Sequence, residues 1–459
     1  MILLIILLSL LLAIFRPYYF VVIYGLIGTD MGSKGITGFI ETIYPNYTLI
    51  MRVLFVISTI IATVNFYSSK HPIQEKKWIN LCWLYIIVMI IMLSMFISGF
   101  TFLSYISRVT LTISTFGPGV FIIWMSYANK FNHKKLFIVY SVSQCLIAFL
   151  IIYGSYFGFS WFQIFNAGLY NAGYFYLDEH NEMIALPTNF YLTFMGKNSY
   201  FMRCGQFHNA NGLGFASGVL IFLLSYLFYT EHKKFIKLFC LFGALLAFLL
   251  WCNTGTRGPI VGIVMAIILY VLFQKKKRAQ IAPMMIIGVV FVVFFAVFSD
   301  SNILSYFFGG GADDSYASRK ELNDNTFEHI DEFFLLGTGG DLDSMFNRGI
   351  DPHELPLRIL CLYGIFPAIL VTILTIIYPI KSAIIHKMYI SMYSITLFCI
   401  VLLVSLTNNF SEGVLFWIVL CESILDIQTN KNANNNNQWI LSKKSKRYTS
   451  LLRQKVRVE

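Results

Sequence analysis

Long uncharged apolar runs recur along this chain, from MILLIILLSLLLAIF at its start to VLFWIVL near its end. A run of about 20 apolar residues is the length that crosses a bilayer as a helix. In lipid the backbone must satisfy its own hydrogen bonds, so such runs become helices packed side by side. Composition agrees, with only 12% of residues charged where a soluble domain carries about 25%. The chain reads as an all-α polytopic membrane protein. The first run lacks a basic segment before it and a small-residue cleavage site after it, so it reads as a retained helix.

About twelve spans are expected, at 3–27, 48–67, 79–99, 102–127, 136–157, 209–230, 236–252, 258–273, 281–298, 357–380, 390–407 and 412–427. Arg16-Pro17 leaves a second option for the first, two short hairpin legs in place of one span, which makes thirteen. The connections SSKHPIQEKK, NKFNHKK, EHKK, QKKKR and KSAIIHK are short and basic and fall at alternate positions. The positive-inside rule places all five in the cytoplasm. The basic tail, 428–459, falls on the same side, with a low-complexity Asn run and an end suited to anionic lipid. The net charge of +11 is thus accounted for by membrane topology, and no nucleic-acid partner is implied. The eight cysteines sit mostly inside apolar runs without CxxC spacing, as small buried hydrophobes do.

The other face receives two large loops, 158–208 and 299–356. The transmembrane unit 1–298 (helices 1–9, with the 158–208 loop) is thereby separated from a second one, 357–427 (helices 10–12). The 299–356 loop carries twelve acids against three bases, in a basic protein. A loop of this length is functional or disordered. Its apolar positions Phe327, Ile330, Phe333, Phe334, Leu335 and Leu336 suggest a small folded cap with a helix or two. The 158–208 loop is aromatic and Asn-rich, fit to stack sugars or to form an interfacial belt.

Lysine and arginine divide unequally between the faces. The cytoplasmic side takes nineteen lysines and four arginines, the external side three lysines and seven arginines: Arg52, Arg108, Arg203, Arg257, Arg319, Arg348 and Arg358. The positive-inside rule does not explain the external set. Arg52, Arg108 and Arg358 lie just within a span, where an unpartnered charge is costly. Arg suits bidentate capture of phosphate or carboxylate. Either these arginines pair with the loop acids, or the set holds an anionic ligand at the membrane surface, where a lipid diphosphate carries its charge.

Three motifs lie on that face. RCGQFHNANGLG (203–214) follows Arg203 with His208, Asn209 and Asn211, fit to cap a helix or to bind sugar hydroxyls. NTGTRGP (253–259) is a tight turn with Arg257 at a helix start, where anions are favoured. DPHELPLR (351–358) places His353 beside Glu354 where the loop re-enters the membrane, either as an ordinary polar helix start or as a general base near neutral pH. No phosphate-loop, nucleophile-elbow or zinc-protease pattern occurs in its required context, no metal site is evident, and no cofactor is expected.

Taken in order, these features resemble the O-antigen polymerase and O-antigen ligase family of bacterial surface polysaccharide synthesis. The residues that carry the resemblance are RCGQFHNAN, the TRG turn at 256–258, the external loop with SRKEL near its start and FEHIDEFFLLGTGGD after it, and PHELPLRILCLYGIFPAIL. It covers roughly 200–370. The chain departs from the family pattern at Glu354, where Asn is usual, and at Thr256, where Ser is usual. The resemblance implies transfer of a glycan from undecaprenyl diphosphate at the external face of the cytoplasmic (inner) membrane, and the basic tail puts the chain's C-terminus on the cytoplasmic side. It implies Arg203, Arg257 and Arg319 as phosphate binders and His353 as base or acceptor-positioning group. Arg348, Arg358 and Glu354 join these candidates through the arguments above. The implied partners are an undecaprenyl-diphosphate-linked oligosaccharide and membrane lipid, with a chain-length regulator and a flippase as candidate protein partners. A polymerase is the favoured reading and a ligase the alternative. A lipid-linked oligosaccharide flippase is the opposing class, for which polar residues near the bilayer midplane and repeat symmetry are expected.

Overall fold

The computed structural model of the chain is mostly helical and describes residues 2–28, 46–69, 73–114, 118–127, 232–254, 321–341 and 354–378, with isolated residues and short pieces elsewhere between 44 and 425. Helices α1 (Ile2–Phe15) and α2 (Pro17–Gly28) are followed by α3 (Tyr47–Tyr67), α4 (Ile73–Ser94), α5 (Phe102–Ser114) and α6 (Gly119–Tyr127). After them come α7 (Lys234–Thr254), the short α8 (Ile330–Phe333), α9 (Leu355–Tyr363) and α10 (Ile365–Thr372), which runs on as a π-helical turn over Ile373–Ile377. One departure from an all-α chain lies in the 158–208 segment, where Tyr176 pairs with Ile184 and Leu177 with Met183 in an antiparallel ladder.

Among the described residues two helices are long and apolar enough to cross a membrane alone, Tyr47–Tyr67 and Lys76–Ser94. They answer to the expected spans 48–67 and 79–99. The expected span 102–127 is a bent pair, α5 and α6, inclined by 46°. Pro118 starts the second leg, its carbonyl accepting from Ile122 N at 2.9 Å, because proline lacks an N–H and presets a helical φ. All nine residues of α6 are buried. A Cβ on Gly119 would stand 2.7 Å from Ile113 O and 2.7 Å from the Phe55 ring. Glycine therefore lets the legs close on each other and on α3. The expected spans at 136–157, 258–273, 281–298 and 390–407 fall outside the described residues, apart from two positions at 142 and 145, and those at 209–230 and 412–427 are described only in part.

The first span breaks at Arg16-Pro17 into α1 and α2. Ala13 O accepts from Ser58 Oγ at 3.1 Å, and Tyr24 stacks on Phe55 at 4.8 Å. Tyr18, between them in sequence, lies instead against Tyr127 at 5.2 Å, whose hydroxyl accepts from Asn65 Nδ2. A straight helix would carry positions 13 and 24 about 16 Å apart along its axis, too far for both to meet α3 within one turn. The chain makes two short legs.

Contacts at the helix ends separate two faces. Trp78 at the start of α4 meets Tyr378 at 5.1 Å, and Lys381 sits over the Tyr378 ring. At the other end of α4, Leu93 and Phe96 pack under Gly340 and Gly339 of the large acidic loop. Trp78 and Lys381 thus share one end of α4, and the Gly339-Gly340 turn of the acidic loop lies at the opposite one.

Candidate functional site

The sequence expects one span from 357 to 380, but the helix breaks at Gly364. This glycine has φ 84° and ψ −177°, a conformation essentially confined to glycine. Breaking a helix strands backbone groups, which are costly to bury unpaired. Here the acidic loop supplies the missing partners. Thr338 N donates to Cys361 O at 2.8 Å and Gly340 N to Leu362 O at 2.9 Å, while Ile365 N donates to Phe334 O at 2.9 Å. The LLGTGG turn is thus inserted into the broken helix. A Cβ on Gly364 would lie 2.2 Å from Leu335 O, and one on Gly337, whose φ is 72°, would lie 2.4 Å from the backbone of Leu362 and Tyr363.

Helix α5 braces this joint. Arg108 Nη1 donates to Gly339 O at 3.0 Å, and Nη2 lies 3.4 Å from Asp341 Oδ1. Its guanidinium also sits 4.4 Å from the Phe100 ring centre. One turn on, the Thr112 and Tyr363 hydroxyls are 2.9 Å apart in a buried hydrogen bond. Arg108 is therefore occupied by protein groups rather than offered to a ligand.

The loop also closes over the start of α9. Residues 321–328 are helical. Asn325 Nδ2 donates to Arg348 O and Gly349 O, tying that helical stretch to the later part of the loop. Two residues earlier, Asn323 Nδ2 donates to Glu354 Oε1 at 2.9 Å. Glu354 is the N-cap of α9 yet makes no side-chain capping bond. Its other oxygen, Oε2, is buried without a hydrogen-bond partner among the described residues. Buried polar atoms of native sites are nearly always paired, so an exception needs a reason.

The pair stands at the head of a groove of about 610 Å³. Its polar lining is Asn323 and Glu354 at the head, with Thr372 further along; the remainder is apolar, from Phe327 and Pro356 down to Ile373 and Ile377. The stretch 365–377 alone extends it by about 18 Å. A slot with a polar head and a long apolar body suits an amphiphile with one long chain.

Of the expected site residues, the structure brings Glu354 to this head. Arg348 is instead exposed and paired with Glu332. Arg358, 4% exposed, is packed into the core on α9 and does not line the groove. Arg52 is half-buried, with its Nε unpartnered among the described residues. Arg203, Arg257, Arg319, His208, Asn209, Asn211 and His353 lie outside the described residues. Sequence reasoning missed Asn323. Its signal was faint, an Asn one helical turn before the groove-lining Phe327. Among the described residues no cluster of three His, Cys, Asp or Glu side chains stands close enough to hold a metal ion.

Residues 242–366 match the family model described as O-antigen ligase. That stretch takes in most of α7, the inserted turn, Asn323, Glu354 and the Gly364 break. No curated protein and no solved structure matches the chain.

Proposed function

We infer that this bacterial membrane protein, a member of the O-antigen polymerase and ligase family, is a polysaccharide polymerase. It transfers undecaprenyl-diphosphate-linked glycan onto a repeat-unit acceptor at the external face of the cytoplasmic membrane. The observation that carries this reading is the Glu354 carboxylate at the head of the groove, held by Asn323 on one oxygen and left without a partner on the other. The groove suits the isoprenoid chain of a lipid-linked substrate. The reaction needs a proton acceptor and charge stabilisation for a leaving diphosphate. In this reading the acceptor hydroxyl attacks the anomeric carbon and gives its proton to the His353–Glu354 pair. The new C–O bond forms as the bond to the diphosphate breaks, and the electron pair leaves with the diphosphate. Arg203, Arg257 and Arg319 are assigned to that diphosphate. Arg348 and Arg358 lose support for this role, the first through its partner Glu332 and the second through its burial.

A ligase would use the same donor and deliver the finished glycan to lipid A core or protein. The flippase alternative draws on the interrupted helices and on the buried Thr110 and Thr112 of α5, since interrupted helices mark transporter sites. The glycan profile of a deletion strain separates the three. Single-repeat glycan without a ladder is the expected outcome. Full-length chains stranded on undecaprenyl diphosphate would replace the polymerase by a ligase, and repeats trapped on the cytoplasmic side would replace it by a flippase. In the complemented strain, Arg257→Ala, His353→Ala and Glu354→Gln are each expected to abolish the ladder with protein still in the membrane. A normal ladder in all three would sink the site assignment.

A further inference from the structure

The acidic loop reads from sequence as a cap outside the membrane, but its most apolar turn leaves large apolar side chains exposed in the structure. Phe334 and Leu335 are 45% and 58% exposed, and Phe327, on the helical stretch before them, is 55% exposed. Three large apolar side chains within nine residues of an acid-rich loop are more than the scattered singles that a water-facing surface carries.

Their depth is fixed by the backbone. Phe334 O accepts from Ile365 N, and Leu335 O lies where a Gly364 Cβ would be. Gly364 is ten residues beyond the N-cap Glu354, about 15 Å further along α9. On α10, which follows, Phe366 and Ile369 are 51% and 49% exposed, an apolar surface of the kind that a span turns to lipid. The turn is thus continuous with this exposed apolar surface and lies further along the helix than the head of the groove. Irregular backbone at such a depth is tolerated only when its polar groups are satisfied by protein. The bonds to Cys361, Leu362 and Ile365 supply part of that requirement, and Gly337 N is satisfied by Phe333 O at 2.8 Å.

We propose that residues 333–340 form a re-entrant element of the membrane domain, with Phe334 and Leu335 in contact with the acyl chains of the outer leaflet. The acidic part of the loop stays in water, and the water–lipid boundary runs near Asn323 and Glu354. The groove then opens sideways into the leaflet, so a lipid-linked substrate reaches its head without leaving the bilayer. The placement of the turn holds whether the protein is a polymerase, a ligase or a flippase.

The test uses the full chain in phospholipid vesicles, with a nitroxide label on Leu335→Cys and, in a second protein, on Glu328→Cys. The unsubstituted chain, labelled in parallel, corrects for its native cysteines. The expected result is that oxygen relaxes the label at 335 more strongly than a water-soluble nickel chelate does, with the reverse preference at 328. Phe334→Cys repeats the measurement at a neighbouring position and should also prefer oxygen. A preference for the nickel chelate at 335 and 334 would overturn the proposal by placing the turn in water. A label at 335 that is immobilised and reached by neither reagent would overturn it as well, because a second copy or another protein would then cover the turn.

Discussion

The joint at Gly364 and the head of the groove at Glu354 lie at opposite ends of α9, and they are built differently. At the joint, the helix's stranded carbonyls 361 and 362 and the amide of Ile365 each meet a loop partner, and glycines stand where any side chain would collide. At the head, one carboxylate oxygen is held and the other is not. A fully satisfied joint gives stability and a fixed position. An unsatisfied oxygen gives up stability and gains the capacity to bind or accept a proton, the exchange expected at functional sites. The difference teaches that loop residues near one another in sequence divide into those that anchor and those that act.

The largest effect should come from breaking the joint. Gly364→Ala adds a Cβ 2.2 Å from Leu335 O at a φ of 84°. Neither the loop backbone nor the helix can yield without losing the bonds between them, so a cost above about 3 kcal/mol is expected. The check is thermal unfolding of the solubilised protein and its abundance in membranes. An unfolding temperature equal to that of the parent would mean that the turn is not seated in the break.

The brace should cost less. Arg108→Ala removes a charged donor from Gly339 O and a partner from Asp341, and about 1.5–3 kcal/mol is expected from the charge-assisted bond. The ion pair itself adds little, because Asp341 is 36% exposed and water screens it. Asp341→Asn should therefore lower the unfolding temperature less than Arg108→Ala, and the reverse order would move the weight to the ion pair. Both changes should leave the head of the groove chemically intact, so residual activity should follow protein abundance.

Much of this architecture is legible in the amino-acid order, because membrane spans and charged loops follow from strong, local free-energy terms. The spans around α3 and α4 and the break allowed by Arg16-Pro17 come from that layer. The break at Gly364 does not, since 357–380 reads as one apolar span even though YGI and GTGG stand in the two motifs that meet there. Nothing local says that two glycine motifs more than twenty residues apart interlock, since their complementarity exists only once both backbones are bent. The arginines illustrate the same limit. The excess on the external side is a compositional fact, yet its meaning differs by residue. Arg108 grips the loop, Arg348 pairs at the surface with Glu332, and Arg358 is buried in the core. Glu354 was legible as a titratable group at a helix start, whereas Asn323, which orients it, depended on a contact across 31 positions.

The smallest effect on stability should come from Asn323→Ala, and it bears most directly on the comparison. The substitution removes one hydrogen bond to a carboxylate that is only half-buried, which costs about 1 kcal/mol. If the head of the groove acts as proposed, activity should fall further than stability, because a carboxylate free on both oxygens is no longer aimed. The fall should appear in kcat rather than in KM for the lipid-linked substrate, since the apolar body of the groove is unchanged. A pairwise test separates aim from mere support. In a Glu354→Gln background, adding Asn323→Ala should cause little additional loss, because the group that it orients has already been disabled. Two losses that simply multiply would place Asn323 with the joint, as one more anchor, and leave Glu354 to find its orientation elsewhere.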